Sequence, residues 1–144
     1  MTKEMPDHHD AELVFRAYEL RRESVMREAR NLLNGQFWPK TYDDVIAVTK
    51  FDHPMNAAYR QVATYWEMIY GLMKHDIVNA DYFMESNGEG FLLFAKVVPH
   101  LERYRKEISP VAFMNAEWAS KECAYGRRMF AMFQGRVEQM LASR

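Results

Sequence analysis

Residues 55–73 read MNAAYRQVATYWEMIYGLM, and this stretch decides the fold. One set of its apolar side chains recurs every three or four positions, which is the spacing of one face of an α-helix. That set is Met55, Ala58, Val62, Tyr65, Ile69 and Leu72. A second set is Tyr59, Ala63, Trp66, Tyr70 and Met73. Because the two sets together cover more than one face, we predict a central bundle helix over about 54–74.

Two further helices are indicated upstream of the central helix. Thr41 is a suitable N-cap, and Asp44 lies three residues later, a pattern that starts a short helix. Residues 10–33 carry an apolar stripe at helical spacing, and Asn34-Gly35 follows as a left-handed stop signal. We predict one continuous helix over 10–33 and a short helix that ends near Lys50.

Three segments downstream also have helical patterns. Asn79 is placed to cap a short helix over 80–85. Residues 91–106 form a helix that Pro99 should kink or split, because proline cannot donate to the helical hydrogen-bond ladder. A long C-terminal helix follows over about 115–142. The chain is therefore predicted to be all-α, a compact bundle of about five to six helices, and no segment shows strand-like alternation.

Length and composition place the chain among globular domains. It has 144 residues, of which 49% are hydrophobic and 27% are charged. We predict a single helical domain over 1–144, with residues 1–9 flexible. The formal net charge is -1, and acidic residues are interleaved with the basic ones, which argues against a nucleic-acid partner.

Cysteine content and hydropathy bear on the compartment. Cys123 is the only cysteine, so an intramolecular disulfide is excluded, and we expect a buried, unreactive thiol. The first ten residues lack the apolar core of a secretory signal, and the apolar stretch 91–95 is far too short to span a bilayer. We therefore expect a cytoplasmic, bacterial protein with no transmembrane segment.

Glu67 is the most interesting polar residue, because it lies between Trp66 and Met68 in the most apolar helix. A partly buried carboxylate there could bind a ligand or transfer a proton. The alternative is a structural role, either in an ion pair with an arginine from a neighbouring helix or at the solvent edge. With Trp66, Tyr70 and Tyr59 it forms the candidate ligand-binding set.

Catalytic and metal-binding motifs are not found in the sequence. No glutamate has a histidine three residues later, which excludes the ferritin-like metal pattern, and His-Glu-x-x-His is absent. Residues 8–12, HHDAE, are the densest cluster of metal-ligand types, and we interpret them as a solvated helix start. Residues 87–90, NGEG, lack the features of a phosphate loop and indicate a turn. We predict no catalytic residue, no metal and no cofactor, and we favour a protein that is not an enzyme.

Part of the chain has a recognisable pattern. It comprises Tyr65–Leu72, Asp76–Asn79 and Phe83, and further on Pro99 with Leu101 and Pro110 with Phe113. Over about half of its length the chain thus resembles a family of small all-helical bacterial proteins of unknown function. The resemblance implies a helical fold and, in some relatives, a regulatory or membrane-adjacent role. It implies no activity, and no catalytic residue is carried over.

These observations favour a non-enzymatic interaction or regulatory protein that acts through its helix faces, as a homodimer or with a protein partner. The support is a surplus of apolar and methionine side chains in a sequence that has no catalytic motif. The methionines concerned are Met114, Met129, Met132 and Met140. The alternative is a small-molecule-binding protein with an inter-helix pocket near Tyr65, Trp66 and Glu67. A metal-dependent enzyme and a helix-turn-helix DNA-binding protein are weaker alternatives.

Overall fold

The computed structural model describes residues 3–144, and every regular element among them is a helix. In chain order the helices are α1 (His8–Arg22), α2 (Ser24–Gln36), α3 (Tyr42–Val48), α4 (Asn56–Lys74), α5 (Ala80–Ser86), α6 (Gly90–Val97), α7 (Leu101–Glu107), α8 (Met114–Glu122) and α9 (Ala124–Ala142). A single 3-10 turn, Val98–His100, joins α6 to α7. The prediction of an all-α bundle is confirmed. Residues 3–144 contain more helices than the five to six predicted because three of the predicted segments are each divided in two.

The first division is at Glu23, within the helix predicted over 10–33. The backbone of Glu23 is extended, with φ −57° and ψ 143°. Its carboxylate accepts hydrogen bonds from the backbone N–H groups of Val25 and Met26, at 3.1 and 3.4 Å, and so caps α2. The stop signal at Asn34-Gly35 is also wrong, because α2 continues to Gln36 and no glycine within 3–144 has a positive φ.

The predicted C-terminal helix over about 115–142 is likewise two helices. Cys123 separates them with an extended backbone, φ −103° and ψ 124°, and its Sγ accepts a hydrogen bond from the N–H of Gly126 at 3.3 Å. Pro99 divides the segment over 91–106, as predicted. The split at Pro99 was anticipated, whereas the breaks at Glu23 and Cys123 were not.

The predicted caps at Thr41 and Asn79 are confirmed. The Thr41 hydroxyl accepts the N–H of Asp44, and the Asp44 carboxylate accepts the N–H of Thr41, which completes a capping box. The Asn79 side chain accepts the N–H of Tyr82 at 2.8 Å. Local side-chain chemistry is sufficient to start these two short helices.

The start of α1 differs from the solvated segment predicted for residues 8–12. Asp7 caps the helix by accepting backbone N–H groups of its first turn. Asp10 is fully buried, where one oxygen accepts the Nζ of Lys3 at 2.6 Å and the other accepts the backbone N–H of Asn79 at 3.0 Å. The prediction is therefore wrong for Asp10, whose carboxylate ties α1 to the start of α5.

Helix α4 is the central helix, as predicted, although it begins at Asn56 rather than at Pro54. The Nδ1 atom of His53 accepts the N–H of Met55 at 3.0 Å and stabilises the turn that precedes the helix. Helix α4 packs against α2, α8, α6 and α5. Its buried residues are Asn56, Ala58, Tyr59, Val62, Tyr65, Trp66, Ile69, Tyr70 and Met73.

A continuous run of aromatic rings links α4 to its neighbours. The run passes, in order, through Tyr65, Trp66, Tyr70, Phe91, Phe130, Phe94, Phe113 and Tyr104, with successive ring centroids 5.0–6.1 Å apart. The rings meet edge-to-face or tilted, which are favourable arrangements for aromatic quadrupoles. The core of the molecule is therefore organised around the aromatic side of α4.

Helix α6 approaches α4 closely at Gly90. A Cβ atom added to Gly90 would lie 2.5 Å from the hydroxyl oxygen of Tyr70 and 2.7 Å from the indole of Trp66. Both rings are buried and fixed by their neighbours, so neither has room to move away. The contact between α4 and α6 therefore requires glycine at position 90.

We expect Gly90→Ala to lower the free energy of unfolding by about 1–3 kcal/mol, because the methyl group overpacks a filled core. Gly135→Ala is the control. A Cβ there meets nothing within 4 Å, so alanine should stabilise α9 by about 0.5–1 kcal/mol. Urea denaturation followed by circular dichroism measures both variants. Equal or higher stability of Gly90→Ala would contradict the requirement.

Candidate functional site

The four residues of the candidate ligand-binding set do not share one site. Trp66 and Tyr70 point into the core, and Tyr70 is completely buried, with its hydroxyl donating to the backbone oxygen of Asn87 at 2.8 Å. Tyr59 and Glu67 lie on another side of α4 and line a surface depression. The structure thus brings Tyr59 and Glu67 together and separates them from Trp66 and Tyr70.

The depression beside Tyr59 and Glu67, which we call the groove, has a volume of about 250 Å³. One wall is α4, which contributes Tyr59, Arg60, Ala63, Thr64 and Glu67. The other wall consists of Tyr104 of α7, Ser109 and residues 111–113. The floor is closed by a hydrogen bond of 2.8 Å between the hydroxyl groups of Tyr59 and Tyr104. The groove is mainly apolar, with Arg60 and Glu67 as its charged side chains.

Glu67 caps helix α8 from outside that helix. Its two carboxylate oxygens accept the backbone N–H groups of Asn115 and Ala116, at 3.0 and 2.8 Å. The side-chain amide of Asn115 donates to the backbone oxygen of Glu67 at 2.9 Å. Helix α8 needs this cap because it follows Phe113, whose φ is 58° and whose side chain provides no capping hydrogen bond. The role is structural, but it is neither of the two structural roles weighed from the sequence.

A second polar cluster lies on the other side of Trp66, where sequence reasoning placed no site. A cavity of about 10 Å³ there is bounded by Lys96, Arg30 and Glu89, which is room for about one water molecule. Arg30 binds Glu89 through two hydrogen bonds, at 2.6 and 2.9 Å. Trp66 lines this cavity, which has no room for a larger ligand.

Lys96 is the buried cation of this cluster, with 2% of its surface exposed. Its Nζ donates to the backbone oxygen of Leu33 at 3.2 Å and lies 3.9 Å from the centroid of the Trp38 ring. Burial, and to a smaller extent the positive charge of Arg144, lowers the pKa of Lys96 from 10.5 to about 7. In the sequence, this buried position is indicated by a single lysine within the apolar run of α6.

The predicted turn over 87–90 joins several of these elements. The Asn87 side chain accepts the Nη1 of Arg21 at 2.9 Å and donates to the backbone oxygen of Phe83 at 3.0 Å. Its backbone oxygen receives the hydroxyl of Tyr70. These hydrogen bonds hold α1, α4 and α5 to the start of α6, and the polar groups of the turn are used within the fold.

A protein-family model described as a domain of unknown function (DUF4760) matches residues 6–123 of the chain. The chain belongs to the DUF4760 family. This confirms the predicted resemblance to a family of unknown function. Comparison with curated proteins and with solved structures finds no match.

The DUF4760 match spans both walls of the groove and ends at the break before α9. At that break Cys123 is buried and donates its thiol hydrogen to Oδ1 of Asp81 at 3.0 Å. The same oxygen accepts the N–H of Tyr125 at 2.9 Å, so Asp81 caps α9 much as Glu67 caps α8. Burial, together with the nearby Asp81 carboxylate, raises the pKa of the Cys123 thiol to about 12, which leaves it protonated and a poor nucleophile at neutral pH.

Two further observations describe the DUF4760 chain over residues 3–144. No three His, Cys, Asp or Glu side chains in this range are close enough together to form a metal site. None of its helices has both the length and the apolar character that a membrane crossing needs.

We expect Glu67→Ala to lower the free energy of unfolding by about 1–3 kcal/mol, because two N–H groups of α8 lose their acceptor. Glu67→Gln keeps one acceptor oxygen and should lose less. Urea denaturation gives the stability, and amide hydrogen exchange at Asn115 and Ala116 reports the cap directly. Glu12→Ala, at an exposed position of α1, is the control. If Glu67→Ala matched this control in both measurements, the capping role would be refuted.

The lowered pKa of Lys96 gives stability a defined pH dependence. In the folded chain Lys96 is largely neutral above about pH 7, whereas in the unfolded chain it stays protonated up to its ordinary pKa of 10.5. The unfolded state therefore binds more protons in this window, and the Lys96 contribution to the free energy of unfolding rises with pH. Lys96→Met removes that contribution, so the wild type should gain stability relative to the variant from pH 7 to pH 10.

Urea denaturation at several pH values across the window measures this gain. Lys106→Met, at an exposed lysine of α7, is the control, and its stability should run parallel to the wild type. Parallel curves for Lys96→Met as well would show that Lys96 keeps an ordinary pKa.

Proposed function

We propose that this DUF4760 chain is a non-enzymatic interaction module that pairs with a second copy of itself. The contact surface is the groove together with the exposed apolar side chains of Met68, Val111 and Met114, which we call the groove face. The observation that carries the proposal is that exposed apolar groups adjoin an apolar depression: Val111 lines it, and Met68 and Met114 follow Glu67 and Phe113, which line it too. Exposed apolar patches of this kind mark interaction sites more often than scattered single residues do.

The exposed side chains of the groove face are connected to one another through the Glu67 cap. Val111 has 64% of its surface exposed and Met68 has 60%, while Met114 has 42%. Met68 follows Glu67 in sequence, and Met114 precedes Asn115, whose N–H Glu67 accepts. The capping hydrogen bonds therefore hold the apolar groups of α4 and α8 side by side.

The size of the groove favours polypeptide side chains over a small molecule. Pockets for drug-sized ligands have volumes of about 300–1,000 Å³ and enclose most of the ligand. The groove, at about 250 Å³, is smaller and open to solvent, and the cavity beside Trp66 has about 10 Å³. The alternative of a small-molecule site near Tyr65, Trp66 and Glu67 therefore has less support than a docking surface.

A second copy fits this surface because the groove face has complementary parts. It contains a depression between α4 and residues 109–113, and it also contains the exposed, flexible side chain of Met68. A two-fold symmetric contact joins the same patch of both subunits, so each copy must provide both the depression and the group that fills it. We assign the homo-oligomer expected from the sequence to this surface as part of the proposal.

The potentially reactive side chains of Glu67 and Cys123 already have partners within the fold, which supports a module without catalysis. The carboxylate of Glu67, the acidic group in the groove, is already bound to two backbone N–H groups. The thiol of Cys123 is buried and remains protonated, since its pKa is raised to about 12. We include in the proposal a bacterial, cytoplasmic setting; a chain with a single cysteine, which forms no intramolecular disulfide, is consistent with a reducing compartment.

We expect Val111→Asp to weaken self-association at least tenfold, because a carboxylate would have to be desolvated in the contact. Light scattering coupled to gel filtration, from low to high micromolar concentration, measures the mass. Val25→Asp on α2 is the matched control, since Val25 is 56% exposed and lies outside the groove face. A wild-type chain that stays monomeric at high micromolar concentration would refute the proposal, as would equal weakening by the two variants.

A further inference from the structure

Helix α4 leaves one narrow stripe of its surface exposed. The stripe consists of Ala57, Arg60, Gln61, Thr64 and Met68. Positions separated by three or four residues lie above one another on a helix, so these side chains form one line along α4. Ala63 and Glu67, which are half-buried, border the line on the side of the groove.

Arg60, on this line, and Glu67, at its border, carry opposite charges at equal distances from the middle of the line. Arg60 lies three residues before Ala63, and Glu67 lies three residues after Thr64. Ala63 and Thr64 are small, which allows another helix to approach to the usual interaxial distance of about 8–10 Å. When two such helices lie antiparallel, Arg60 of one is therefore opposite Glu67 of the other, so this surface is complementary in charge to an antiparallel copy of itself.

We infer that two copies of the chain pair with their α4 helices antiparallel, about a two-fold axis beside Ala63 and Thr64, so that Arg60 of each copy faces Glu67 of the other. This inference rests on the proposed self-association and specifies its geometry. A parallel pairing would set Arg60 against Arg60 and Glu67 against Glu67, and both contacts would be repulsive. The antiparallel pairing forms two equivalent ion pairs instead.

The shape of the groove face fits the same register. Met68 lies about 7 Å along the helix axis beyond the midpoint between Ala63 and Thr64, and Tyr59 lies the same distance before it. In the antiparallel pair, Met68 of one copy therefore falls opposite Tyr59 of the other, which lines the groove. The exposed methionine of each copy is thus placed at the depression of its partner.

The partners within the chain leave both charged groups able to form this ion pair. The hydrogen bond from Arg60 to Oδ1 of Asn56, at 2.9 Å, uses the Nε atom, so the two terminal amino groups are separate donors. Each carboxylate oxygen of Glu67 accepts one backbone N–H and retains a second lone pair. Formation of the intermolecular pair therefore does not require the α8 cap to break.

Cysteine crosslinking tests the register, because a residue beside a two-fold axis lies next to its own copy. We expect Thr64→Cys to form a disulfide-linked dimer under mild oxidation at concentrations where the wild type is dimeric. Met68→Cys, on the same exposed stripe, is the matched control. Its two copies would be about 13–14 Å apart along the axes, beyond the roughly 7 Å limit for Cα atoms joined by a disulfide, so crosslinking should be at least fivefold slower. The native Cys123 is buried and remains in both variants.

The possible outcomes distinguish failure of the antiparallel register from failure of the proposed self-association. If the wild type is dimeric and Met68→Cys crosslinks as fast as Thr64→Cys or faster, the register is wrong and self-association stands. If the wild type is monomeric at every concentration, both the register and the proposed self-association are wrong.

A second variant gives an independent measure: Arg60→Glu should weaken the dimer about tenfold, because it creates two repulsive contacts with Glu67. Arg16→Glu, an exposed charge reversal on α1, should leave it unchanged, and equal dimer affinity of these two variants would overturn the ion pair.

Discussion

The capping of α8 by Glu67 is the interaction on which the second half of this structure depends. A helix that starts after a left-handed residue such as Phe113 has unsatisfied N–H groups and no local side chain to bind them. Glu67 supplies both acceptors from α4, so the direction in which α8 leaves the turn is set by the central helix. Asp81 of α5 acts in the same way at the start of α9, through the N–H of Tyr125. The C-terminal helices are therefore positioned by carboxylates that belong to other helices.

This arrangement explains which parts of the fold were predictable. The period of α4, the capping box of Thr41 and the split at Pro99 are all local signals, since each depends on residues within one or two helical turns. The breaks at Glu23 and Cys123 follow from less usual caps, a glutamate carboxylate and the sulfur atom of a protonated thiol, which the common N-cap preferences do not include. The apolar spacing nevertheless continues across the first break through Tyr18 and Val25, although both side chains are exposed in the structure. A pattern of apolar spacing alone therefore merges the helices on either side.

The candidate site was predictable only in part, for a related reason. In a helix that is apolar around much of its girth, periodicity does not distinguish the side that faces the core from the side that faces solvent. Trp66 and Tyr70 proved to be core residues, whereas Met68, equally apolar, is 60% exposed. Glu67 stands out in the sequence as a charge in an apolar helix, but its partners lie 48 and 49 residues away in sequence, so its capping role could not be predicted. Lys96 was missed although the signal, one lysine within the apolar run of α6, is present in the sequence.

Glu67 connects the stability of the fold with the proposed pairing of two chains. Its carboxylate holds one wall of the groove, through Asn115 and Ala116, against the other wall, on which it lies itself. An arginine from a second copy would bind a carboxylate that is already fixed in place, so little side-chain entropy is lost when the ion pair forms. A chain with an intact cap would therefore present an ordered groove face to its partner.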